Sequence, residues 1–302
     1  MSTPLTDHPE VIADEYEASV ARYWDTKRDD PINLLLGAED GLIHHHYGVG
    51  DFDHAILDLP APAREAAVLK ELHRLENRQT ELILDTLSPV RSEKRLLDAG
   101  SGRGGTAFML HDRFGCAVDG VTISSYQVEF ATRLAHRRGC ADSVRFHLRN
   151  MLRTGFPQDY FDAVVTNETT MYVDLFELYR EFSRILQPGG RYVFITWCID
   201  DRTGLTADTE RIDHHYGCHM HRRSTYFAAL AACGLVPYRV VDLTADAIPY
   251  WQLRTHSQHR TGIEAAFLNA YRERAANFLL VGTEQVVNPN DHDQSLPLSG
   301  LS

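Results

Sequence analysis

The chain has 302 residues, 43% of them hydrophobic and 24% charged, a composition that suits a globular protein long enough to bury a sizeable core. It excludes a disordered, collagen-like or membrane-spanning chain, and no apolar run approaches the length of a span. Against 30 Lys and Arg stand 42 Asp and Glu, a formal net charge of -12, which excludes a nucleic-acid binder held by phosphate neutralisation.

Residues 1–15 and 286–302 are rich in Pro, Asn, Asp and Ser without periodicity and are expected to be disordered ends. Residues 16–90 are expected to form a helical cap that contributes to the active site. Within it, Val68, Leu69, Leu72, Leu75, Leu82 and Ile83 recur at helical spacing and predict a helix over Ala66–Leu84. From Arg95 the pattern changes to short apolar runs at 95–100, 117–123, 144–148, 161–166 and 191–197, separated by helical stretches that include 124–138 and 175–186. Late runs at 238–243 and 278–282 complete the series. Strands alternating with helices predict an α/β fold with a mostly parallel sheet over 91–285. The polar, histidine-rich stretch at about 200–236 breaks the rhythm and is expected to be a lid over the carboxyl edge of the sheet. The five cysteines are widely spaced and never form C-x-x-C, and the acidic N-terminus carries no signal-peptide pattern, so a reducing cytoplasm is expected.

The first chemical signal is Asp98-Ala99-Gly100-Ser101-Gly102-Arg103-Gly104-Gly105, a glycine loop between a predicted strand and a predicted helix. Glycines there let the chain turn sharply and bring backbone N–H groups close to a ligand. A plain tight turn would also use glycine, but the flanking strand and helix and the acid at the strand end favour a ligand. A dinucleotide site would spell G-x-G-x-x-G, whereas this loop reads D-x-G-x-G-x-G.

That pattern resembles the class I S-adenosylmethionine-dependent methyltransferases, and Gly120-Val121-Thr122-Ile123-Ser124-Ser125-Tyr126-Gln127 resembles the branch with cyclopropane fatty acid synthases and sterol C-methyltransferases. The turn Leu186-Gln187-Pro188-Gly189-Gly190 fits the same fold. The resemblance implies a Rossmann-like sheet, mostly parallel with a late antiparallel strand. It also implies a cofactor site at Asp98, Gly100, Gly102, Thr122, Gln127, Asn150, Met151 and Asn167, with Thr122 and Gln127 toward the ribose and Asn150 and Met151 flanking adenine.

Three longer segments narrow the likeness: Gly41 to Gly50 (GLIHHHYGVG), Asn167 to Leu175 (NETTMYVDL), and Val241 to Thr244 with Pro249 to Arg254. With Asn33-Leu34 and Leu72 to Glu76, they resemble the geranyl diphosphate C-methyltransferases of actinobacterial terpenoid pathways, over residues 21–285. The implied cofactors are S-adenosylmethionine and Mg²⁺, the implied partner is a prenyl diphosphate, and related enzymes form homo-oligomers.

The chemistry can be argued from the residues. An alkene carbon that accepts a methyl group becomes part of a carbocation, which aromatic faces stabilise and a carboxylate can deprotonate. Glu168, just past the fourth strand, is the candidate base, and Tyr47 and Tyr216 are candidate aromatic partners. In the related enzymes the position matching Tyr216 is more often Phe, so its hydroxyl is a departure that bears on regiochemistry and chain length. A diphosphate needs Mg²⁺ or basic groups, and His45, His46, Arg222 and Arg223 are the candidates, with the metal held mainly by the diphosphate and water. Adjacent histidines in an extended segment point to opposite sides, and the cluster His214, His215, His219 and His221 lacks the H-E-x-x-H glutamate, so protein-bound zinc is disfavoured. No D-D-x-x-D run occurs, which disfavours terpene cyclisation and chain elongation. Three readings stand: methylation of geranyl, isopentenyl or farnesyl diphosphate at C2 or C6; N- or O-methylation of a small polar metabolite; and a non-catalytic S-adenosylmethionine-binding scaffold.

Overall fold

The computed structural model describes residues 11–29 and 31–286. Three helices precede the sheet: α1 (Glu15–Thr26), α2 (Pro31–Leu36) and the long α3 (Ala61–Leu87). Then follow β1 (Arg95–Ala99), α4 (Gly105–Phe114), β2 (Ala117–Thr122), α5 (Ser125–Arg137), β3 (Val144–Leu148), β4 (Phe161–Asn167), α6 (Leu175–Ile185) and β5 (Leu186–Ile199). The chain closes with α7 (Ala207–Tyr216), α8 (Arg223–Ala232), β6 (Leu235–Asp242), α9 (Thr244–Arg254), α10 (Glu264–Arg272) and β7 (Ala276–Gln285).

The strands form one sheet in the order β3-β2-β1-β4-β5-β7-β6. β1 to β5 pair in parallel, and β7 runs antiparallel to both its neighbours, which bears out the expected late antiparallel strand. Sheet burial on both faces explains why β1 reads as a continuous apolar run: Leu96 joins the core on one side of the sheet and Leu97 the core on the other. The first core packs α3, α4 and α5 together with α9 and α10, and the second packs α6 and α8. The Gln187–Gly190 turn lies within β5, where the pairing to β4 shifts register between Phe161 and Ala163.

Local chemistry sets the helix ends. Ser124 accepts from the Gln127 N–H at the start of α5, Asp174 accepts from the N–H groups of Phe176 and Glu177 at the start of α6, and Thr206 and Thr209 form a capping box on α7. At the amino end, Asp14 caps α1 and Val11 is buried, so residues 11–15 belong to the fold and not to a disordered end. The rest of the predicted ends, 1–10 and 287–302, lies outside the described residues.

The predicted lid divides in two. α8 is a sheet-packing helix, with Tyr226, Ala229 and Leu230 buried in the second core, because its apolar face has the sheet beneath it. Only the segment before it, with α7, packs elsewhere: Ile212 and Tyr216 join the first core with α10. Among the described residues, no helix is long and apolar enough to cross a membrane.

Candidate active site

The strand order reverses direction between β1 and β4, and a crevice opens at the carboxyl ends of these strands, as expected for such a sheet. One cavity there is lined by the β1–α4 loop, the ends of β2 and β4, α1, and residues 43–46. After β1 the chain turns through Gly100, Gly102 and Gly104, with φ of 79°, 54° and 94°. At Gly100 a Cβ would lie 2.5 Å from the Thr169 side chain, so the glycine is required both for conformation and for room. Asp98, at the floor, is 2% exposed, and its Oδ2 has no partner. Burial pushes its carboxyl up to about 7, against a hydrogen bond from the Ala107 N–H that lowers it.

Thr122 donates to Gln127 Oε1 at 2.7 Å, which fixes the wall at the end of β2. Asn150 and Met151 line the same cavity; Asn150 donates to the Val11 carbonyl at 3.0 Å and accepts from the Leu152 N–H, so its amide is engaged within the chain.

Glu168 stands across the cavity from the glycine loop. Its backbone has a φ of 56°, in the left-handed region, and its N–H donates to the Ile195 carbonyl, so the sheet holds the turn that lifts the side chain off β4. The side chain is buried. Oε1 accepts from Gln79 Nε2 at 2.6 Å and from the Tyr47 N–H at 3.0 Å, while Oε2 has no partner. Burial raises the carboxyl to about 8, a shift that the two donors oppose and the Glu76 carboxylate reinforces. A base whose proton affinity sits near neutrality is suited to removing a proton from carbon.

Next to Tyr47 lies a cluster of aromatic rings drawn, with Tyr47 itself, from five segments. Tyr47 packs against Trp251 of α9 at 4.3 Å and Trp197 of β5 at 5.8 Å, and Trp251 stacks on Phe267 of α10 at 4.0 Å. Tyr216, at the end of α7, closes the cluster, its ring 5.7 Å from Trp197 and its hydroxyl hydrogen-bonded to that of Tyr47. Tyr47 and Tyr216, the expected aromatic partners of the cation, meet each other in this cluster and not on the cavity wall, where Trp24 and Tyr172 provide the aromatic surface.

A family model described as "Methyltransferase domain" matches residues 97–194. The geranyl diphosphate 2-C-methyltransferase of Saccharopolyspora erythraea is 48% identical over 277 residues, covering 91% of this chain and 97% of that protein. A crystal structure of geranyl diphosphate C-methyltransferase from Streptomyces coelicolor, in complex with Mg²⁺, geranyl-S-thiolodiphosphate and S-adenosyl-L-homocysteine, superposes with a TM-score of 0.88 at 44% identity, over 91% of this chain and 99% of the other. A geranyl diphosphate methyltransferase in complex with geranyl diphosphate and sinefungin gives 0.87 at 46% identity, over 90% and 100%. The chain belongs to the geranyl diphosphate C-methyltransferase family.

In this methyltransferase the predicted basic residues separate. His45 lies at the cavity with Nδ1 against Asn33 Nδ2 at 3.1 Å, its Nε2 unpartnered, and its ring edge-on to Trp24. Burial and then the Arg103 and Lys27 charges hold it neutral. His46 also lines the cavity, but both its nitrogens are taken, Nδ1 by the Tyr47 carbonyl and Nε2 by His44 and Thr80, so it is a structural link and not an anion donor. Arg222 and Arg223 are not on the wall. Arg222 is the exposed cap residue just before α8, and Arg223, the first residue of α8, faces Asp242 at 3.8 Å, because α8 packs on the sheet and carries both away. Asn167 lines the cavity, yet its amide accepts from Gln79 at 2.8 Å and donates to Thr80 and Thr106, an arrangement that braces Glu168. Among the described residues no group of three or more His, Cys, Asp or Glu is placed to hold a metal ion, and the histidines near α7 diverge: His219 stacks on Tyr16 and His221 meets the Val173 carbonyl.

Sequence reasoning missed Gln79, Arg103, Trp24, Trp197, Trp251 and Phe267. For Gln79 a signal existed: it falls on the apolar stripe Leu72, Leu75, Ile83 of α3, where a polar residue must be buried.

Proposed function

We propose that this methyltransferase transfers the methyl group of S-adenosylmethionine to C2 of geranyl diphosphate, and that Glu168 removes the proton that restores the double bond. The observation that carries this reading is the Glu168 carboxylate, with one oxygen held by two donors and the other unpartnered, on the same cavity as the glycine loop.

The cavity fits the cofactor. The unpartnered Asp98 Oδ2 offers a buried acceptor for an amino or hydroxyl group, and Gly100 and Gly102 leave room for close approach. When bound, S-adenosylmethionine supplies a methyl group on a positively charged sulfur. Asp98→Ala is expected to weaken its binding by about 10- to 100-fold, the loss of one charged hydrogen bond; unchanged affinity by calorimetry would remove Asp98 from the site.

On the substrate, the π electrons of C2–C3 would form the new bond to the methyl carbon as its bond to sulfur breaks and that electron pair stays on sulfur, leaving positive charge at C3. Tyr47, whose N–H donates to Glu168, leads into the cluster of Trp197, Tyr216, Trp251 and Phe267, and Trp24 and Tyr172 line the cavity itself; these rings offer the quadrupoles that such a charge requires. Loss of the C2 proton to Glu168 returns the electron pair to C2–C3. The acidic chain can hold the diphosphate with Mg²⁺ carried on it, and His45 Nε2, close to the Arg103 and Lys27 charges, is the group that faces it in place of Arg222 and Arg223.

The test is incubation of the protein with S-adenosylmethionine, Mg²⁺ and isopentenyl, geranyl or farnesyl diphosphate in parallel, with NMR of the released alcohols. The expected product is the C2-methylated geranyl alcohol. Methylation at C6, or of another chain length, would overturn that assignment; no product from any of them, with the cofactor still bound, would favour an N- or O-methyltransferase of a small polar metabolite. The resemblance also implies a homo-oligomer, which light scattering on the purified protein reads directly.

A further inference from the structure

Gln79 sits in the second half of α3, a helix of 27 residues, and is 0% exposed. Burying an amide is costly unless its hydrogen bonds are made. Its Nε2 makes two, to Asn167 Oδ1 at 2.8 Å and Glu168 Oε1 at 2.6 Å, while its own Oε1 has no partner. The fold therefore accepts an unsatisfied carbonyl at this point, and what it gains is a donor pair on two consecutive residues at the end of β4. An amide suits the task. A buried Lys or Arg in its place would neutralise Glu168 and remove its basicity, whereas an apolar residue would leave Oε1 held by the Tyr47 N–H alone.

We propose that Gln79 is a positioning residue for methyl transfer: one amide hydrogen anchors it to Asn167, the other grips Glu168 Oε1, and the carboxylate plane is thereby set with Oε2 directed at the substrate proton. The inference rests on the reading of Glu168 as the base. The other titratable groups that face Glu168 are Glu76 from α3, Tyr47 from the loop before it, Tyr216 from α7 and Tyr271 from α10. Burial raises each of the three tyrosines, so none titrates in the range where Glu168 does. Glu76 is itself tied to the Tyr250 hydroxyl at 2.9 Å. The hydrogen bond from Gln79 is the largest influence holding the Glu168 carboxyl down against burial.

The test compares Gln79→Met, which keeps the length and loses the donor, with Gln79→Glu, which keeps the shape and donates only when protonated. Glu168→Gln serves as the control. With geranyl diphosphate, Gln79→Met is expected to lower kcat at neutral pH by about 10- to 100-fold with little change in KM, the worth of one charged hydrogen bond. Its activity relative to the parent should recover as pH rises, because the unheld carboxyl needs a higher pH to ionise. Gln79→Glu should show the opposite slope: a singly protonated pair still donates to Glu168, so its relative activity falls as pH rises. S-adenosylmethionine affinity by calorimetry, unchanged in both, shows that the fold is intact, and Gln79→Glu carries the test if Gln79→Met does not fold. Parent-like kcat and pH profiles in folded variants would overturn the proposal, as would lost activity with an unmoved profile in both, which marks a packing role alone. If those results come with an inactive Glu168→Gln, the base reading stands and only the clamp fails; an active Glu168→Gln sinks both.

Discussion

Glu168→Gln is expected to reduce kcat with geranyl diphosphate by about 10²- to 10⁴-fold, the contribution of a general base, while leaving S-adenosylmethionine affinity unchanged. The substitution preserves size, and the new amide can keep its oxygen toward Gln79 and Tyr47, so what is lost is the proton affinity of Oε2. The parent enzyme carries its own signature. Because burial raises this carboxyl to about 8, much of it is protonated at neutrality, and kcat should climb with pH and level off above about 8. Stability moves the other way. The native carboxyl binds its proton more tightly than the unfolded chain does, so its contribution to stability is intact below the ordinary carboxylate range and is lost as pH rises through about 8. The melting temperature of Glu168→Gln relative to the parent should therefore increase with pH over that window. Retained turnover, or a difference in melting that does not vary with pH, would remove Glu168 from the mechanism.

The second large effect is expected at Gly100. Gly100→Ala must hold an L side chain at φ of 79°, a left-handed conformation that costs about 1 to 2 kcal/mol, and its Cβ would meet Thr169 atoms at 2.5, 2.8 and 2.9 Å. The loop has to move, and it moves where the cofactor must fit. S-adenosylmethionine affinity should fall by more than about 100-fold, as the strain and the clash each amount to a factor of about 10 or more. Adding Thr169→Gly should recover the part due to the clash and leave the part due to φ. Affinity in Gly100→Ala equal to that of the parent would mean that this loop does not contact the cofactor.

Legibility in the sequence followed the range of the forces. The glycine loop and Glu168 were visible because each is dictated by its neighbours: a strand, a turn that needs φ above zero, then a helix or a strand end at the point where the sheet order reverses. β3 coincides with the expected run over Val144–Leu148 and β1, β2 and β4 differ from theirs by one residue, whereas β5 begins five residues before the expected 191, since Leu186 already pairs with Phe161. Residues that act through distant partners were not visible. Arg222 and Arg223 looked like anion donors because two adjacent cations in a polar stretch fit that role; only the packing of Tyr226, Ala229 and Leu230 on the sheet shows that α8 points them elsewhere. His46 and Asn167 looked ligand-facing, and bonds to Tyr47, His44 and Thr80 in one case and to Gln79 in the other make them braces. Gln79 and Glu168 lie 89 residues apart, and no local rule connects them.

The two donors on Glu168 both come from before β1, from α3 and the loop that carries Tyr47, whereas the glycine loop and Glu168 itself lie within 97–194. The division has an evolutionary consequence. On the reading of Glu168 as the base, a core with the glycine loop and the acid at the end of β4 can be inherited while the amino-terminal segment changes how that acid is held. A chimera that exchanges residues before 91 with a distant methyltransferase would keep the glycine loop and Glu168 and would lose both donors on Glu168 Oε1 together with the α1 and 43–46 walls of the cavity.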